Sequence, residues 1–190
     1  MARTAFLVPL ATALGCGSPA DVSASAQPPE IQVVPGAYLA FDQPLVPLTE
    51  GGDLPLRLAP QGGHWAFVSA RVRGYTGTVM SVGVSVLDAE SGALRFAERR
   101  KGAVVASPSD PHAVEPALDL RGAIVHVPIC PVEVPPGLFA QRVRLEVEVG
   151  GTETGHASLT VTPACSAGTS GERAVCECEC APGDDPSKCF

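Results

Sequence analysis

Apolar and polar residues alternate with a period of two along most of residues 31–163. That is the spacing of half-buried strands rather than of an amphipathic helix. The clearest run is 64–73, HWAFVSARVR, where Ala66, Val68, Ala70 and Val72 share one face and Trp65, Phe67, Ser69, Arg71 and Arg73 the other. In 79–87, Val82, Val84 and Val86 alternate with Ser81, Gly83 and Ser85. The turn sequence Asp88-Ala89-Glu90-Ser91-Gly92 then leads into 93–99, which predicts a hairpin. Further strands are expected at 123–130, at 141–149 and at 157–163, with weaker ones at 31–34, 38–41 and 54–58. Residues 103–120 contain Pro108, Pro111 and Pro116 and alternate little, so they read as a long crossover loop. About seven or eight short strands with Gly-rich turns predict an all-β fold, an immunoglobulin-like or fibronectin-III-like sandwich.

The amino terminus does not follow this pattern. Arg3 precedes an apolar run over residues 5–14, about half the length needed to cross a bilayer as a helix. It fits the hydrophobic part of a secretory signal. The run ends in Ala13-Leu14-Gly15-Cys16, which closely resembles the lipobox of bacterial lipoproteins. The resemblance implies cleavage after Gly15 and lipid on the Cys16 thiol. Residues 1–15 are then a lipoprotein signal peptide, and the mature chain is held on a bacterial membrane by its acyl chains. Gly17 follows Cys16, and by resemblance to enteric sorting this implies the outer membrane, with the mature domain periplasmic or surface-exposed. Residues 17–30, GSPADVSASAQPPE, read as a flexible tether reaching about 50 Å when extended.

The carboxyl-terminal residues 164–190 form a Cys-rich tail with a CECEC motif. With Cys16 assigned to lipid, Cys130, Cys165, Cys176, Cys178, Cys180 and Cys189 remain, and an even number in an exported chain points to disulfides. Read as an extended segment, alternate Cys residues point the same way about 6.5 Å apart. Direct pairing within the motif would then close a strained ring. Each of Cys176, Cys178 and Cys180 is therefore expected to bridge to Cys130, Cys165 or Cys189, which leaves six connectivities open. The alternative is a redox or metal-handling tail in which the CECEC thiolates bind Zn²⁺ or Cu(I). Glu177, Glu179, Asp184 and Asp185 lack the spacing of a calcium loop and read as a solvated acidic face.

Composition narrows the function classes. Charged residues are 17%, the net charge is −7 and there is no basic stripe, so nucleic acid is not an expected partner. The cluster Arg95, Arg99, Arg100 and Lys101 reads either as a basic contact patch or as a charged strand edge that blocks strand addition. No nucleophile elbow, metalloprotease helix or phosphate-binding loop occurs, and His64, His112, His126 and His156 are scattered. The segments GGHWAFVSARVRG, VPICP, RLEVEV, LTVTPAC and CECEC, in that order, are similar to those of uncharacterised predicted lipoproteins from gliding soil bacteria. That resemblance implies export, anchoring and a Cys-stapled sandwich, and carries no activity. The expectation is a non-catalytic binding or structural module with no cofactor, whose envelope partner the sequence does not name.

Overall fold

A computed structural model describes residues 31–40, 42–119, 122–130, 137–181 and 189. The signal segment, Cys16, the tether, Asp184 and Asp185 lie outside the described residues. The described chain is mostly strand. The first four strands are short: β1 (Gln32–Ala37), β2 (Val46–Pro47), β3 (Asp53–Pro55) and β4 (Arg57–Leu58). Four longer ones follow, β5 (His64–Arg73), β6 (Val79–Asp88), β7 (Leu94–Ser107) and β8 (Asp110–Pro116). The chain continues through β9 (Val125–Cys130), β10 (Val143–Gly150) and β11 (Gly155–Ala164), and then one helix, α1 (Ser170–Cys180).

The strands form one mixed, eleven-stranded sheet ordered β2-β1-β5-β8-β7-β6-β10-β11-β3, with β4 and β9 also paired to β5. Every pairing is antiparallel except β3 with β11. The long strand β7 joins the two arms of this sheet. Its residues up to Ala103 pair with β6, and Val104 to Ser107 pair with β8. At the changeover Gly102 meets the backbone of Gly122 and Ala123, where a methyl group would sit 2.5 Å from Ala123 N. Only glycine allows that approach.

The main core is built from the faces that the alternation marks. Ala66, Val68, Ala70 and Val72 of β5, Val82, Val84 and Val86 of β6, and Val143, Leu145, Val147 and Val149 of β10 are all buried in one cluster. The opposite face of β5 is also covered. Phe67 packs there with Tyr38, Leu45, Ala59 and Ile124, which come from loops and turns, and Trp65 lies against them. Burial under this second layer pushes the Tyr38 phenol well above its usual range.

Three expectations are corrected. Residues 103–120 are not a crossover loop, because β7 and β8 form a hairpin there around Pro108 and Ser109. The prolines fit because Pro108 sits in the turn, Pro111 in a register irregularity after Asp110, and Pro116 at the strand end, where a missing N–H costs least. Residues 38–41 do not form a separate strand: among the described residues 38–40 lie beyond β1, with Tyr38 N donating to Phe67 O at 2.9 Å. Residues 54–58 divide into β3 and β4 because the chain changes partner, from β11 to β5, on either side of Leu56.

The Arg95–Lys101 cluster is not an open basic surface either. Arg95 pairs with Asp88, Arg99 with Glu148 and Arg100 with Glu98. No helix among the described residues is long and apolar enough to cross a membrane.

Candidate functional site: the stapled end of the sheet

Within the Cys-rich tail, residues 170–180 are helical rather than extended. Thr169 caps α1: its side chain accepts from Glu172 N at 3.3 Å, and its own N–H donates to Glu172 Oε2 at 2.6 Å. This reciprocal box satisfies two backbone donors that a helix start otherwise leaves open. The signal was present in the sequence as Thr169-x-x-Glu172, and the strand-like CECEC alternation obscured it.

The helix changes the geometry of the motif. Two residues along a helix turn about 200°, and four turn about 40°. Cys176 and Cys180 therefore face the sheet, both 2% exposed, while Cys178 points away from them. The expectation that no bridge forms within CECEC holds for this different reason. The bridges are Cys130–Cys180, Cys165–Cys176 and Cys178–Cys189, with Cα separations of 5.2, 5.7 and 5.7 Å. This is one of the six connectivities left open by the sequence. Two bridges tie the inner face of α1 to the last residue of β9 and to the residue after β11; the third joins the helix to the final segment.

Beneath the helix lies a buried polar pair that the sequence reading missed. His64, the first residue of β5, sits opposite Cys130 in the ladder. Its Nδ1 lies 2.9 Å from Glu179 Oε2, and the side chains are 4% and 9% exposed. The contact has the length of an ion pair, but neither atom makes a well-directed hydrogen bond. Burial lowers the His64 pKa, while Glu179 opposes that shift. Glu179 is therefore not part of a solvated acidic face. A cleft of about 30 Å³, lined by Leu56, Leu58, His64, Ala167, Glu172 and Cys176, opens beside this pair. His156 belongs elsewhere, in an open depression with Arg99 and Glu148.

A second candidate lies on the neighbouring face. Tyr38, Leu39, Ala40, Leu58, Pro60 and Phe67 line an apolar pocket of about 260 Å³, with Arg57 at its wall. Leu58 is 59% exposed at this pocket. Comparison of the chain with family models, with curated proteins and with solved structures finds no match.

Proposed function

We propose that the chain is an exported bacterial lipoprotein, held on a membrane through lipid on Cys16, whose β-domain acts as a non-catalytic binding or structural module. The observation that carries this reading is the cysteine pairing. Three bridges take up six of the seven cysteines, as an exported domain requires, and leave Cys16 at the end of the apolar leader for another role. In this reading the sheet is an immunoglobulin-like or fibronectin-III-like sandwich joined through β7. The single buried cluster shared by β5, β6 and β10 supports that view. Residues 17–30 space the domain from the outer membrane, and the apolar pocket beside Leu58 is the binding surface.

Expression of the full chain and of Cys16→Ser in a bacterium tests the anchor. The native chain is expected in the membrane fraction with an acylated amino terminus at Cys16, and the variant in the soluble envelope fraction. Equal membrane retention of both, or an unmodified Cys16, would overturn the reading.

A further inference from the structure

The stapled end holds more than two bridges. The metal-binding atoms of His64, Cys176 and Cys180 all lie within 4.8 Å of one another, and all three residues are buried. Ligand atoms around a tetrahedral zinc stand about 3.5 Å apart, so small side-chain movements would complete such a site. The first coordination shell would be two thiolates and one imidazole, a set that suits Zn²⁺. Glu179 already lies against the ring of His64. A carboxylate at that nitrogen is placed to orient a metal-bound imidazole once the contact straightens into a hydrogen bond. The cleft between Leu58, Ala167 and Glu172 reaches His64 and Cys176 and supplies an entry path.

We infer that His64, Cys176 and Cys180 form a latent zinc site, closed while Cys130–Cys180 and Cys165–Cys176 are oxidised and opened when both are reduced. Two dithiols supply four electrons and four protons, giving four cysteine thiols and two oxidised dithiols. Zn²⁺ then takes Cys176 and Cys180 as thiolates, releasing one proton from each, and the neutral His64 ring supplies a nitrogen lone pair. A water molecule fills the fourth position of the tetrahedron, as at zinc sites with three protein ligands. The site differs from one made by the three CECEC thiolates, because Cys178 faces away and pairs with Cys189. It goes beyond the anchored-module reading and does not depend on it.

Two experiments test the site. In the first, Cys130→Ser and Cys165→Ser are combined, which leaves Cys176 and Cys180 as thiols beside His64 without reducing Cys178–Cys189. Titration with Co²⁺ under nitrogen is expected to give a thiolate-to-cobalt absorption band and the visible bands of a tetrahedral ion. Adding His64→Gln should weaken binding by at least about tenfold, since a ligand outweighs its supporting partner. Removing Cys178 and Cys189 by Ser substitution should leave the bands unchanged.

The second experiment needs no substitution. The full chain, reduced with a dithiol and returned to oxidant, is followed by mass mapping with and without Zn²⁺. Zinc should delay closure of Cys130–Cys180 and Cys165–Cys176 but not of Cys178–Cys189. No cobalt–thiolate band, a band insensitive to His64→Gln, or equal closure of all three bridges with zinc present would each overturn the assignment.

Discussion

Arg71 Nε donates to Glu115 Oε1 at 2.7 Å, and the two side chains keep only 12% and 3% of their exposure. The pair joins β5 to β8 beneath the second apolar layer. Its remaining capacity is also used: Arg71 Nη2 donates to Leu45 O at 3.0 Å and Ser107 Oγ donates to Glu115 Oε1 at 2.6 Å. Each partner thus gives the other a reason to be charged inside the protein, and the loop carrying Leu45 is fixed in the process.

Removing one partner is therefore worse than removing both. Arg71→Met strands the Glu115 carboxylate with Ser107 alone, and breaking a buried pair in this way costs about 3–5 kcal/mol. Arg71→Met combined with Glu115→Leu should recover a large part of that loss. Urea unfolding of the two single variants and the double variant measures the coupling. A double variant that loses as much as the two single variants added together would show that the ion pair itself contributes nothing.

The helix cap supplies a second test. An 11-residue helix is too short to persist alone in water, so α1 depends on its cap and its bridges. Thr169→Ala removes the acceptor for Glu172 N and should cost about 1 kcal/mol. With the bridges intact the loss is confined to the tail. Faster amide hydrogen exchange in residues 170–175, with the strands unchanged, is the expected outcome. Unchanged exchange across α1 would mean that the bridges alone hold it.

The strands that sequence alternation picked out are those with one face in the main core, such as β6 and β10, where packing and period two agree. The hairpin of β7 and β8 was hidden because its three prolines suppress the alternation while sitting where the ladder tolerates them. The second layer over Phe67 was hidden because Tyr38, Leu45, Ala59 and Ile124 lie far apart in sequence and outside strands. At the site, cysteine counting restricted the bridges, and CECEC on a helix then put Cys176 and Cys180 on one side. Nothing near His64 in the sequence could indicate Glu179, which lies 115 residues later and meets it only in the folded chain.

The bridges should open in order of access. Cys130, Cys165, Cys176 and Cys180 are buried, whereas Cys178 and Cys189 are only half-buried. A thiolate must reach a sulfur to exchange with it, so Cys178–Cys189 is expected to be reduced first. The loop entropy runs the other way in importance. A separation of 50 residues for Cys130–Cys180 gives a stabilisation of about 4 kcal/mol, against about 3 kcal/mol for each separation of 11. Stepwise reduction followed by alkylation and mass mapping gives the order, and circular dichroism reports the consequence. In metal-free buffer, helical signal should fall as the two buried bridges open, while the strand signal persists. Loss of the whole sheet on opening Cys165–Cys176 would show that the tail supports the domain rather than being held by it.

Acidification should weaken the fold through His126. Its ring packs edge-on against Phe67, with centroids 5.0 Å apart, and against Trp65 at 6.2 Å. The buried Nε2 makes no hydrogen bond, and burial, aided by Arg100, lowers the pKa below 6.5 against the opposing pull of Glu98. The folded protein thus keeps the ring neutral at a pH where the unfolded chain binds a proton. Its contribution to stability is complete above pH 6.5, and is lost as pH falls from there towards the folded pKa, because the unfolded state then binds more protons. His126→Phe keeps the aromatic contacts and removes the titration. The variant should show a shallower fall in Tm between pH 7.5 and pH 5.5 (about one unit either side of an ordinary histidine). Part of the fall should remain, since burial also lowers the His64 pKa. An identical pH profile for the native chain and His126→Phe would assign the whole acid sensitivity to other groups.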